Sequence, residues 1–383
     1  MKKTLWMLGV AVAALTSCTQ SEVVDVPESK LIRFEPFVEK NSRVADNLYD
    51  VTTAKLNNFW VYGYTTSDVT GTGEQDSPYE GDFSTSVPVF SNMEVTKTGN
   101  SWDGESSDHW ITGNLYRFAA YSNGNEELSG VTYVPSTDKL TISDYEVIDA
   151  DEVDLGTDGD YGTNDDVKVP LDLVASIAGD RHSTTGAQPV QFTFRHLLAK
   201  ITFHFTNASN NADLTFNEIQ INDIAKSGDC VCTYPGTYAL ETVYPYPKNV
   251  DWDIDGVTLD DFSFGDVNIE FNPSATTSDE VTFYVIPQSN AGKYVTMSLV
   301  EKIGGNSYNT EPLNFLLATD THFSSVADDK VINEWVAGYH YRYLITKGTE
   351  FKDIQFSAVV SEWNKDRNGD GNPGENTDNV PLT

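Results

Sequence analysis

The run Val190-Gln191-Phe192-Thr193-Phe194-Arg195-His196-Leu197-Leu198-Ala199-Lys200-Ile201-Thr202-Phe203-His204-Phe205 holds two strands whose apolar residues sit on opposite parities. Val190, Phe192 and Phe194 are even-numbered; Ile201, Phe203 and Phe205 are odd-numbered. Side chains alternate between the two faces of a strand, so a single strand cannot keep both sets on one face without a bulge or a bend. The change of parity falls within Arg195 to Lys200. It predicts a bend that carries the chain from one sheet region to the next, as at the corner of a β-sandwich. It also predicts that Phe192, Phe194, Ile201 and Phe203 are buried.

The same alternation continues outward in both directions. Phe59 and Val61 alternate, as do Tyr116, Phe118 and Ala120, and Val281, Phe283 and Val285. Val295, Met297 and Leu299 follow an Asn290-Ala291-Gly292 turn. Tyr339, Tyr341, Tyr343 and Ile345 run to Lys347-Gly348-Thr349, and Ile354, Phe356, Ala358 and Val360 run back, which predicts a hairpin. Helical spacing is confined to Val326–Val336, where a short helix fits. Aromatics at 12%, with glycine and proline scattered throughout, suit many short strands. The expected class is therefore all-β. The length of 383 residues suits two domains. The polar stretch Ala178–Pro189 is the expected boundary between an N-terminal β-domain over 31–178 and a C-terminal one over 189–363. Asp151–Asp166 reads as a long acidic loop, and residues 364–383 as a polar tail.

The N-terminus reads as an address rather than as fold. Lys2 and Lys3 precede an apolar run, Leu5–Leu15, that is too short to span a bilayer as a stable helix. The run ends in Leu15-Thr16-Ser17-Cys18, which resembles the lipobox of bacterial lipoproteins. That resemblance implies a signal peptide over 1–17, a lipid on Cys18 and a tether over 18–30; the alternative is an ordinary secretory signal that ends beside a cysteine. No later segment is long and apolar enough to cross a membrane as a helix. The formal net charge is −34, and loss of Lys2 and Lys3 with the leader makes it two units more negative. Such a charge repels nucleic acid and anionic lipid, so no nucleic-acid partner is expected.

Chemistry-bearing motifs are sparse. There is no Gly-x-Ser-x-Gly elbow, phosphate loop or dinucleotide fingerprint, and His109, His182, His196, His204, His322 and His340 lack metal-ligand spacing. No enzyme and no cofactor are expected. Cys230 and Cys232 would point the same way on a strand, where a bridge between them is strained; two packed thiols are expected. Asp366, Asn368 and Asp370, with Gly371 sixth, follow the spacing of a calcium loop. The twelfth position is Thr377, where a bidentate Glu belongs, and no helical pattern flanks the loop, so a polar tail is expected and no metal. Trp60, Trp102 and Trp110 would stack on sugar rings if exposed; filling a sandwich core is the expected role.

Taken in order, these landmarks resemble the fimbrillin (Mfa-like) family of Bacteroides-type lipoproteins and pilins. Ile32-Arg33-Phe34 through Ser42-Arg43-Val44 resembles the family's first strand and an Arg-small motif. Phe59-Trp60-Val61-Tyr62-Gly63-Tyr64 is similar to the next core strand. Phe90–Val95, Trp102, Trp110 and Tyr116-Arg117-Phe118-Ala119-Ala120-Tyr121 follow its run of tryptophans before an aromatic strand. Val190–Phe205, Tyr284-Val285-Ile286-Pro287-Gln288, Trp335-Val336-Ala337-Gly338-Tyr339, Ile354-Gln355-Phe356 and Trp363 complete the series, which covers nearly all of the chain after the leader.

The resemblance implies two tandem transthyretin-like β-sandwich domains and transport as a lipoprotein to the outer membrane surface. It implies a structural or accessory subunit of an adhesive fimbria. In stalk subunits of the family a trypsin-like protease cuts after an arginine, here between Arg43 and Val44, and removes the first strand. The open groove then takes a donor strand from the next subunit, by β-augmentation. A solvated surface arginine is the other reading of Arg43. The partners implied are other fimbrial subunits, the outer membrane through lipid, and a host or bacterial surface glycan or protein. A stand-alone glycan-binding surface lipoprotein is the alternative function. One feature departs from the stalk pattern: after Asn364 only Val380 and Leu382 alternate, so the tail lacks the pattern of a donor strand.

Overall fold

The computed structural model describes residues 31–38, 51–52, 55–104, 108–124, 126–154, 168–183, 189–208, 212–233, 249–269, 278–310, 312–317, 333–348 and 354–362. Among these there is no helix. The expected helix at Val326–Val336 lies largely outside the described residues, and Trp335 and Val336 are not helical.

The strands are β1 (Phe34–Val38), β2 (Asn58–Thr66), β3 (Val69–Thr70), β4 (Glu80–Gly81), β5 (Val87–Thr98), β6 (Ser101–Gly104), β7 (Leu115–Ser122) and β8 (Val131–Val134). They continue with β9 (Lys139–Glu146), β10 (Val174–His182), β11 (Val190–His196), β12 (Ala199–Asn207), β13 (Ala212–Ala225), β14 (Ser227–Thr233) and β15 (Asn249–Asp253). The last are β16 (Leu259–Ile269), β17 (Ser278–Val285), β18 (Tyr294–Ile303), β19 (Asn306–Asn309), β20 (Leu313–Leu316), β21 (Tyr339–Lys347) and β22 (Ile354–Glu362).

β3 and β4 pair with each other, and the remaining strands build two pairs of packed sheets. In the first, a seven-stranded sheet runs β1-β11-β10-β7-β2-β5-β6, and a four-stranded sheet runs β15-β14-β9-β8. The long sheet curls, so that its end strands β1 and β6 meet. Its inner face encloses a cluster that includes Phe34, Phe59, Phe90, Phe118, Phe192 and Phe194. Its other face meets the short sheet: the Tyr62 hydroxyl donates to the Val131 carbonyl (2.8 Å), and Tyr64 packs on Tyr133. In the second pair, β17-β12-β21-β22 lies on β16-β13-β18-β19, with β20 also paired to β18. Phe203 against Phe264 (4.7 Å between centroids), Phe205 against Phe216 and Phe315 against Phe356 join these two sheets.

The corner expected between Arg195 and Lys200 is at Leu197-Leu198. β11 sends Val190, Phe192 and Phe194 into the first cluster; β12 sends Ile201, Phe203 and Phe205 into the second. A bend inside a protein must satisfy its backbone groups, and this one does. Leu197 N–H donates to the Leu173 carbonyl, the Leu197 carbonyl accepts from the Trp252 indole (2.9 Å), and the Leu198 carbonyl accepts from Gly338 N–H. The hairpin of β21 and β22 forms in continuous register from Tyr339↔Glu362 to Lys347↔Ile354.

The chain does not divide between its two sheet pairs at Ala178–Pro189. β10 runs to His182, and β10 and β11 on either side of that stretch are neighbours in one sheet. β14, from the C-terminal half, returns to pair with β9 and carries β15 on its other edge. Polarity marks a surface connection, and connections between neighbouring strands are as polar as linkers.

Candidate functional site

β1 is the most unusual element of the first sheet pair. Its sequence alternates cleanly: Ile32, Phe34, Pro36 and Val38 are buried, while Leu31, Arg33, Glu35 and Phe37 are exposed. It lies parallel to β11, with Phe34↔Val190, Pro36↔Phe192 and Val38↔Phe194 in register. Residues paired across a ladder share a face, so each inward side chain of β1 meets an inward one of β11. Pro36 cannot donate to a ladder, which confines it to edge positions. On the opposite side only the start of the segment is held: Leu31 bridges His109, and Ile32 N–H donates to the Asp108 carbonyl (3.0 Å).

Phe34 is the anchor of this strand. Its ring stacks on Phe192 (5.8 Å, 20°) and meets Phe59, Phe90 and Phe118 edge-on, rings from β11, β2, β5 and β7. One side chain from an edge strand thus fills the middle of the curled sheet. β11 depends on β1 in turn. Its register with β10 covers Arg195 and His196, so among the described residues Val190–Phe194 has β1 as its ladder partner.

The far end of the groove is polar. Asp172, fully buried, places Oδ2 2.8 Å from His196 Nδ1 and accepts the backbone N–H of Val51 at 2.8 Å. His196 is thus a hydrogen-bonded structural histidine. A second buried polar lock holds the outer face of the sheet. Arg117 on β7 pairs with Asp180 (2.5 Å) and Asp138 (3.4 Å), donates to the Pro135 carbonyl and lies over the Phe83 ring.

Of the residues singled out in the sequence, Cys18, Arg43, Val44, Asp366, Asn368 and Asp370 lie outside the described residues. Trp60 and Trp110 are buried in the two clusters, and Trp102 packs on Phe59 beneath Lys97. Cys230 and Cys232 are buried free thiols with their sulfurs 4.0 Å apart, facing the same way from β14. Burial pushes the Cys230 thiol well above its usual range. Among the described residues no group of three or more His, Cys, Asp or Glu is placed to hold a metal ion. No helix there is long and apolar enough to cross a membrane.

Two motifs acquire a structural meaning. Gln288 ends Tyr284-Val285-Ile286-Pro287-Gln288, and its side chain accepts from Ala225 N–H (2.9 Å) and donates to the Ala225 carbonyl (3.0 Å). Its own carbonyl accepts from Trp335 N–H, and the buried Trp335 indole donates to the Tyr343 hydroxyl. Sequence reading missed Asp172 and Arg117. The only signal was a lone charge in or beside an apolar run, which needs partners if it is buried.

A profile described as fimbrillin-like matches residues 42–363. The chain belongs to the fimbrillin-like family. Family membership supports a fimbrial subunit role at the cell surface and fits a non-enzymatic protein. Among solved structures, this fimbrillin-like chain is similar to a fimbrial protein from Bacteroides vulgatus: 15% identity, 86% of this chain and 99% of that one covered, TM-score 0.48. It is also similar to a candidate cell adhesion protein from Bacteroides ovatus (13%, 88% and 98%, TM-score 0.42). A third is the fimbrial anchor protein Mfa2 from Porphyromonas gingivalis (10%, 86% and 96%, TM-score 0.28). Curated proteins give no match.

Proposed function

We propose that this fimbrillin-like protein is a surface lipoprotein, acylated at Cys18, that joins an adhesive fimbria by strand exchange at the groove now filled by β1. The supporting observation is the seating of β1: an edge strand whose ladder partner among the described strands is β11, with Ile32, Phe34, Pro36 and Val38 plugged into the core. A cut after Arg43 separates this strand from the rest of the chain. Its departure exposes the Val190–Phe194 edge and the pocket of the Phe34 ring, a surface that another chain's strand can complete. Exposing the inward side chains costs roughly 1.5–3 kcal/mol for each large one. That is a large share of the roughly 5–15 kcal/mol that holds a domain folded.

Limited digestion of the soluble, non-lipidated chain with an arginine-specific protease, followed by gel filtration and thermal melts, tests this. The cut form is expected to melt lower or to self-associate, and a peptide spanning Leu31–Val38 is expected to restore the original melting. A verified loss of the strand that leaves a monomer with unchanged melting overturns strand exchange. Fatty-acid labelling that marks the wild type and Cys18→Ala equally overturns the lipid anchor.

A further inference from the structure

We infer that the buried Asp172–His196 pair is a clamp on the backbone of Val51, one that keeps the segment after residue 50 seated when β1 leaves its groove. Asp172 and His196 are positioning residues in this role. The inference rests on β1 being a removable strand.

The argument starts from where the chain leaves the groove and where it returns. β1 ends at Val38, paired with Phe194. Among the described residues the chain resumes at Val51, whose N–H donates to Asp172 Oδ2. That oxygen also meets His196, which lies two residues beyond Phe194 in the same row of inward side chains. Both ends of the connection are thus pinned at the same end of β11, by independent means. Val38 is held by a ladder and Val51 by a carboxylate.

What Val51 begins is part of the same core. Val51 and Leu56 are buried among the groove's phenyl rings. Leu56 N–H and Lys55 N–H both donate to the Thr52 carbonyl (2.7 and 2.9 Å), and the chain turns at Lys55. Before a cut this turn is tethered on both sides. After a cut in the preceding connection it lies close to a new chain end, and chain ends fray unless they are tied down. Fraying here would empty a second part of the core along with β1, leaving a larger defect than an incoming strand can fill.

The chemistry of Asp172 suits the task. A carboxylate that accepts a backbone N–H forms a charge-assisted bond, stronger than one between neutral groups. Asp172 and His196 are both sealed from solvent, so water offers no substitute partner. Asp172 belongs to the segment leading into β10, adjacent to Leu173, whose carbonyl fixes the bend at Leu197. The clamp is therefore mounted on the frame of the sheet and not on the departing strand.

Hydrogen exchange read by mass spectrometry tests this on the chain from Thr19 onward, before and after cleavage by an arginine-specific protease. Peptides over 31–38, 51–56 and, as a control, 339–347 are followed in wild type, Asp172→Ala and Asp172→Asn. In the wild type, cleavage is expected to speed exchange in 31–38 while 51–56 changes by less than about twofold. Asp172→Ala is expected to speed exchange in 51–56 by about tenfold or more, with 339–347 unchanged, and after cleavage 51–56 opens together with 31–38. Asp172→Asn keeps an acceptor for Val51 without the charge and is expected to fall between the two; it decides the matter if the alanine variant does not fold. Wild-type 51–56 opening with 31–38 after cleavage overturns the clamp, as does wild-type protection of 51–56 in both variants. If 31–38 stays protected after cleavage, the removable strand is overturned, while the uncut variants still decide the bond at Val51.

Discussion

The phenyl ring of Phe34 stacks on that of Phe192, with centroids 5.8 Å apart and planes 20° from parallel. The two residues come from β1 and β11, and the contact couples the edge strand to the core. Phe34→Ala is expected to cost about 3–5 kcal/mol, and Phe192→Ala a similar amount. The double variant should lose less than the sum, because each removes the other's partner. Urea unfolding of the four proteins checks this, and full additivity would show that the rings do not support one another.

Beyond the bend, Phe203 packs between Phe264 and Tyr343. Phe203→Ala should also cost about 3–5 kcal/mol. A melting temperature equal to that of the wild type would remove this strand from the core.

Arg117 holds two carboxylates, the buried one of Asp138 and the partly buried one of Asp180. Arg117→Ala leaves both without their cation and should destabilise the protein by about 3–5 kcal/mol. Asp138→Asn keeps an acceptor for the Tyr133 hydroxyl, which donates to Asp138 Oδ1 at 2.9 Å, and should cost less. If both substitutions melt alike, the ion pair is not what holds this face.

Gln288 satisfies both backbone groups of Ala225. Gln288→Leu keeps much of the volume and orphans the two groups, at about 1–3 kcal/mol each. Gln288→Glu keeps an acceptor for the N–H and should be distinguishable by a loss confined to the carbonyl side, read as faster exchange near residues 225–227.

Acid should weaken the fold from just below neutrality. Burial, with Lys200 and Arg342 nearby, pushes the His340 imidazole down to about 3, against the opposing pull of Glu280. The unfolded chain then binds this proton first. His340 contributes stability that is complete above about pH 6.5 and is lost as pH falls toward 3. A hydrogen bond from His204, with Arg342 beside it, holds Glu280 at about 2 despite partial burial. Burial works upward on Glu152, but hydrogen bonds from Lys226 and Lys168 bring it down to about 2. Both carboxylates contribute stability present above about pH 4.5 and lost as pH falls toward 2. The melting temperature should be flat between about pH 7 and 8 and fall from about pH 6.5 downward. His340→Asn should blunt the first part of that fall; a profile identical to that of the wild type would exclude His340 as its source.

Much of this architecture was legible in the sequence. The parity change between Phe194 and Ile201 marked the corner because alternation is visible wherever one face is buried. The shared orientation of Cys230 and Cys232 followed from the same rule. Neighbours were not legible. Alternation says which face a residue occupies but not which strand lies beside it, so nothing in Lys139–Glu146 pointed to Ser227–Thr233. The candidate site was half legible: the pattern of Ile32, Phe34 and Val38 is plain, whereas Asp172 and His196 meet only through the fold and carry no spacing that links them to Val51.

The return of β14 to β9, with β15 on its far edge, also sets an order in time. Asp144 and Asp229 meet across 85 residues, and Glu35 and Gln191 across 156. Contacts between distant residues are slow to form because the loop must close before they repay it. The first sheet pair therefore cannot close while the chain is still emerging residue by residue; it waits for Asp253, by which point β12 and β13 of the second pair are already in hand. A chain arrested before Ser227 exposes the unpaired edge of β9 and the apolar face of β2 and β7. Truncations ending near residue 190 should aggregate, and the two halves should fold as one event, not as successive beads.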